Sequence, residues 1–231
     1  MISSPISGPT PDPISGPAPD PVSDPISDPA EALRVLLEGN VRFVEGSPEH
    51  PNQDAGRRAA LAPAQKPFAV LFGCSDSRLA AEIIFDRGLG DLFVVRTAGH
   101  VTGAEALGSI EYGVAVLDCP LVVVLGHDSC GAVAAALDSL EQGRLPGGFV
   151  RDVVERVTPS VLSARAAGIE DPDAIVDEHI RQTVDLLVER SQLLAARVAE
   201  GRVAVVGLSY RLRDGQARTV AVRGVAHPGL D

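Results

Sequence analysis

The chain has 231 residues, 45% of them hydrophobic but only 3% aromatic and none tryptophan, with a formal net charge of −11. The length allows one generous domain or two small ones, and the negative charge argues against nucleic acid or an anionic membrane as partner, because both demand a basic footprint. No apolar stretch approaches a membrane span, and the start, MISSPISGP, lacks the basic and apolar regions of a signal peptide, so the expected location is the cytoplasm.

Residues 1–29 repeat a loose Pro/Ser/Asp unit, as in PISGPTPDP and PISGPAPDP, and carry nine of the eighteen prolines. Such a segment buries too little apolar surface to offset its ordering entropy and is expected to be a disordered tail. From Ala30 to residue 231 the pattern is that of a single folded domain. AEALRVLLEGNVRFVEG has helical apolar spacing and ends at a glycine. Strand-like and helix-like segments then alternate: FAVLF (68–72), a short helix over 79–88, LFVVR (92–96), a helix over 103–118, PLVVVLG (120–126) and a helix over 129–140. Two long helical stretches follow, over 147–168 and 171–201. VAVVGLSYRL and ARTVAVRG close the chain as a hairpin through RDGQ. Apolar strands alternating with helices predict an α/β fold: a mostly parallel open sheet of about four strands plus an antiparallel edge strand, flanked by helices.

Three cysteines give no disulfide framework and suit a reducing compartment, where thiols act as ligands, nucleophiles or core filler. In open α/β sheets functional groups gather beyond the carboxyl ends of the strands. Cys74 stands there after the first strand, in FGCSDSR, and His127 and Cys130 stand there after the third, in GHDSCG. If the two strands are neighbours, two thiolates and an imidazole converge. That set suits zinc, and three protein ligands leave a fourth position open, as in catalytic sites. Asp76 is placed to reach that position or to hydrogen-bond its occupant, and Arg78 to hold the carboxylate ionised. Cys119, at the opposite end of the sheet before Pro120, reads as structural.

CSDSR, FVVRTAGHV, GSIEYGV and GHDSCGAV, in this order and spacing, resemble the β-class carbonic anhydrases of bacteria, from about Ala30 to the last strand. The resemblance implies reversible hydration of carbon dioxide to bicarbonate and a proton through a zinc-bound hydroxide. It implies one Zn2+ per chain on Cys74, His127 and Cys130, with Asp76 and Arg78 as the catalytic pair. It further implies a homodimer or homotetramer with active sites at the dimer interface, and it sets Phe93 near the substrate pocket. A subgroup of the family binds regulatory bicarbonate with a tryptophan, an arginine and a tyrosine. Arg96 and Tyr210 align with two of these, but Leu71 stands at the tryptophan position, so that site is not carried over.

Two rival functions share these ligands: hydrolysis of a related small molecule such as carbon disulfide, and a non-enzymatic zinc scaffold recruited through the tail. At mildly acidic pH Asp76 is expected to leave Arg78 and close the zinc site. Among the remaining histidines, His100 reads as an exposed loop residue, with a proton shuttle near the zinc as the alternative, and His50, His179 and His227 read as solvated. The GLG at 88–90 lacks the spacing of a phosphate loop.

Overall fold

In this computed structural model, residues 26–224 are described; His227 and nearly all of the expected tail lie outside them. The folded chain reaches back further than the composition shift suggests. Ile26 packs against the core, and Asp28 caps the first helix by accepting the Glu31 amide at 2.8 Å. That helix, α1 (Pro29–Val44), starts on a proline whose missing N–H costs nothing at the first turn. A short α2 (Ala55–Ala60), absent from the sequence reading, is capped in the same way by Asp54.

The sheet has five strands in the order β2-β1-β3-β4-β5. β1 (Ala69–Cys74) and β3 (Leu121–His127) are buried along their whole length, which is why their sequences are unbroken apolar runs. β2 (Leu92–Thr97), β1, β3 and β4 (Ala204–Tyr210) run parallel, and β5 (Ala217–Arg223) returns antiparallel along β4 with a bulge at Gly207/Leu208. The predicted architecture is therefore the observed one. Helices α4 (Ala104–Ala115), α5 (Gly131–Gln142), α6 (Val150–Ala166), α7 (Pro172–Arg190) and α8 (Gln192–Ala199) complete the layers.

Two helix expectations need correction. The helix placed at 79–88 is only one turn, α3 (Ala81–Ile84). Asp86 ends it at φ 44°, where its carboxylate takes the Arg42 guanidinium at 2.6 Å and the amides of Glu49 and His50 at 3.0 and 2.9 Å. The single helix placed over 171–201 breaks at Ser191, which is extended; its hydroxyl accepts the Leu194 amide at 3.1 Å and donates to Glu111 at 2.6 Å. One serine thus caps a helix and ties it to α4.

Beside its apolar face, one buried polar side chain ties α1 to α3 and to the start of β5. Asn40 donates to the carbonyls of Ile84 and Gly215, at 3.1 and 2.8 Å, and accepts the Ala217 amide at 2.9 Å. Truncation strands those buried groups, each worth about 1–3 kcal/mol when unpaired. Asn40→Ala is expected to lower unfolding free energy by about 2–4 kcal/mol in urea. Arg34→Ala on the exposed face of the same helix should stay within about 0.5 kcal/mol. Equal effects of the two would refute the clamp.

Candidate metal centre and active site

The β1–β3 pairing brings the sequence candidates together. The register runs from Ala69↔Leu121 to Gly73↔Leu125, so Cys74 and His127 leave the sheet side by side at its carboxyl edge. Ser129, at φ 52°, turns the chain so that Cys130 becomes the first cap residue of α5. The two sulfurs and a histidine ring nitrogen lie within 4.8 Å of one another, and all three residues are buried. Cys119 is apart from them: its buried thiol donates to the Pro67 carbonyl at 3.3 Å, and burial pushes its pKa up to about 12.

His127 is oriented as a ligand would be. Its Nδ1 lies 2.8 Å from the Asp128 carbonyl, which can only accept, so Nδ1 carries the proton and Nε2 keeps its lone pair. That Nε2 is buried with no hydrogen-bond partner among the described residues, facing two sulfurs. A buried polar atom is seldom left unpaired; a cation held by the three donors would satisfy it. Burial opposes charge on this ring, but Cys74, the Asp128 carbonyl and Asp76 outweigh it and raise its pKa.

The thiols respond to one another. The hydrogen bond with Cys130 and the amides of Asp76 and Gly99, set against burial, hold Cys74 below the ordinary thiol range. The same bond to Cys74, with burial, raises Cys130. The Gly99 amide donates to Cys74 Sγ at 3.3 Å from a short 3-10 turn, Ala98–His100. Only glycine fits there, because φ is 61° and a Cβ would strike Ala132. Arg96, on β2, grips both sides of the motif by donating to the carbonyls of Cys74 and Asp76, at 2.9 and 2.6 Å.

Asp76 and Arg78 form a forked pair. Arg78 Nε reaches Oδ1 at 2.9 Å, its terminal nitrogen reaches Oδ2 at 2.7 Å, and its amide also donates to Oδ1 at 3.0 Å. Oδ2 lies 3.9 Å from His127 Nε2, so the carboxylate borders the donor cluster while held away from it. Phe93 lies elsewhere. It stacks on Tyr112 at 6.0 Å, on the edge strand, four residues before the Thr97 that pairs with Cys74.

Two histidines read as exposed are core residues. His100 is fully buried, at φ 42°, with neither ring nitrogen bonded among the described residues, and burial holds it neutral. His179 lies 4.4 Å from it, centroid to centroid, and bonds the Gly99 carbonyl at 2.9 Å. The signal for His179 was in the sequence: it shares the buried face of α7 with Ile175, Val176, Ile180 and Thr183. His50 is exposed, as expected.

The family model described as carbonic anhydrase matches residues 69–217. Carbonic anhydrase 2 of Mycobacterium tuberculosis is 59% identical over 186 residues, which are 80% of this chain and 90% of that protein. The carbonic anhydrase of Mycolicibacterium smegmatis is 57% identical over 185 residues, with the same coverage of 80% and 90%. A solved tetrameric β-carbonic anhydrase of Sordaria macrospora shares the fold at a TM-score of 0.67 and 23% identity, covering 84% of this chain and 100% of that one.

The Arg78 bonds, set against the cost of partial burial, hold the Asp76 carboxyl well below its ordinary value of 3.8. A depressed folded-state pKa stabilises above the unfolded value, and the gain is lost as pH falls toward the folded one. The stability difference between wild type and Asp76→Asn in urea should therefore be constant above about pH 5 and shrink on further acidification. A difference that grew toward acid would contradict the pairing. With two cysteines, a histidine and an Asp–Arg pair gathered where β1 and β3 end, and with relatives of that identity over four-fifths of its length, the chain belongs to the β-class carbonic anhydrase family.

Proposed function

We propose that the chain hydrates carbon dioxide reversibly to bicarbonate at one zinc ion held by Cys74, His127 and Cys130. The observation that carries this reading is the unpartnered, buried Nε2 of His127 facing two sulfurs, a donor set of the kind that suits zinc. When bound there, zinc supplies a nucleophile at neutral pH by lowering the pKa of a coordinated water.

The chain's own residues aim and shield that chemistry. Ionised Asp76 is an acceptor only, so at the edge of the cluster it takes a hydrogen bond from the attacking water and turns the oxygen lone pair toward carbon. Arg78 fixes the carboxylate by its fork and keeps it ionised. Arg96 and the Gly99 amide hold Cys74 from the backbone side and the sulfur side. Two thiolates offset the metal's formal charge, so this site acidifies water less than an all-histidine one. Capture of the fourth position by Asp76 at acid pH would compete with the bonds its oxygens accept from Arg78.

The assembly we propose is a homodimer or homotetramer. Supporting it, Phe93 and Tyr112 form an aromatic pair on the edge-strand side, Tyr112 is 47% exposed, and β2 is an apolar edge strand only half covered. In a dimer that pair is free to line the pocket of the second copy, which is how Phe93 reaches substrate. No helix among the described residues is long and apolar enough to cross a membrane. Unbridged cysteines favour the cytoplasm.

Stopped-flow hydration on zinc-quantified protein tests the reading. Wild type should carry one zinc per chain and gain activity as pH rises from neutral into the alkaline range. His127→Ala and Cys130→Ala should lose both metal and activity, Arg96→Met should lose about 10–100-fold in either, and Cys119→Ala should keep both. Full zinc in Cys74→Ala, or an active His127→Ala, would refute the ligand set.

A further inference from the structure

Away from the metal centre, one cavity of about 260 Å³ lies between α6, α7 and the loop after the 3-10 turn. Arg156 and Arg190 line it, and neither meets a carboxylate among the described residues. Arg156 uses one terminal nitrogen on the Thr102 carbonyl at 2.8 Å. Each guanidinium has five N–H donors, so most of both forks remain for a guest. The carboxylate in the lining, Glu155, is drawn to Arg151 at 2.7 Å. The cavity therefore carries surplus positive charge, with both arginines at its exposed side.

Its floor is polar and leads to the metal centre. Ser160 and His179 both line the cavity, at 3% and 4% exposure. Ser160 Oγ lies 2.8 Å from His179 Nδ1 and 3.0 Å from Gln182 Oε1, and its single proton serves one of them at a time. His179 Nε2 lies 2.9 Å from the Gly99 carbonyl, an acceptor, so in the neutral ring Nδ1 takes the Ser160 proton. The amide of the same Gly99 donates to Cys74 Sγ. Three residues, Ser160, His179 and Gly99, join the cavity floor to the Cys74 sulfur without passing through solvent.

We propose that this cavity is a second anion site. A small oxyanion sits between Arg156 and Arg190 over Ser160, and its occupancy changes the metal centre through Ser160, His179 and Gly99. An acceptor oxygen beside Ser160 competes for the hydroxyl proton that His179 otherwise holds, which alters the bond His179 makes to Gly99. The chemistry suits bicarbonate, the product of the reaction, and inorganic phosphate alike. The binding claim stands apart from the zinc assignment; the coupling claim rests on it.

Calorimetric titration of the zinc-loaded full chain with phosphate, and separately with bicarbonate, tests binding at fixed ionic strength. At least one anion should bind saturably, and the tighter one identifies the source. The double variant Arg156→Met/Arg190→Met, with its fold checked by thermal melting, should bind it about tenfold or more weakly, the cost of losing charge-assisted bonds. Binding that survives in that variant would place the anion on the zinc or elsewhere and overturn the site, as would no saturable binding up to about 50 mM. For the coupling, zinc release to a chelator should change about threefold or more with saturating phosphate or bicarbonate, whichever binds. That change should vanish in Ser160→Ala; an unchanged release rate in wild type would refute it. Neither readout depends on turnover, so failure here leaves carbon dioxide hydration standing, and an inactive enzyme leaves the anion site standing.

Discussion

The parallel pairing of β1 with β3 is the constraint on which the rest of the molecule depends. Both strands are buried along their full length, so their neighbours are dictated by the need to cover two apolar faces and satisfy every backbone group. Their register, ending at Gly73↔Leu125, leaves Cys74 one residue beyond the last pair on one strand and His127 two residues beyond it on the other. A slip of one residue would turn one strand's side chains to the opposite face and separate the donors. The ligand cluster is a consequence of strand register before it is a consequence of chemistry.

Around that edge, backbone dipoles do much of the electrostatic work. A buried thiolate is costly unless something donates to it. Besides Cys130, the donors to Cys74 are the Gly99 and Asp76 amides, and the Arg96 guanidinium spends itself on carbonyls. Arg78 is committed in the same way to a single carboxylate. This arrangement keeps strong cations off the sulfurs, where they would compete with a metal. Beneath it, the neutral His100 and His179 pack as core, and one of them braces the glycine turn by its carbonyl.

Much of this was legible in the sequence, and the parts that were not share a cause. Strand–helix alternation with apolar strands gave the sheet and its antiparallel edge, and the placement of Cys74, His127 and Cys130 after corresponding strands gave the cluster once adjacency was granted. The pattern could not show where a side chain at positive φ would point. His100 and Asp86 both sit there: the first is buried where its loop setting reads as exposed, and the second follows the end of a helix whose pattern reads as continuing. Ser191 was hidden because a helix break made by a single hydroxyl leaves the hydrophobic period nearly intact. His179 belongs to the buried stripe of Ile175, Val176 and Ile180, which its charged neighbours in the sequence mask. The cavity lined by Arg156 and Arg190 depends on how α6 and α7 pack, which no local pattern encodes.

On the proposed reading, strand register and the Ser129 turn together assemble a three-ligand zinc site. X-ray absorption at the zinc edge of the purified protein near pH 8 tests it most directly. The account predicts two sulfurs at about 2.3 Å and one imidazole nitrogen at about 2.0 Å, with a single light-atom ligand completing the shell. A shell with fewer than two sulfurs, or without an imidazole, would contradict it.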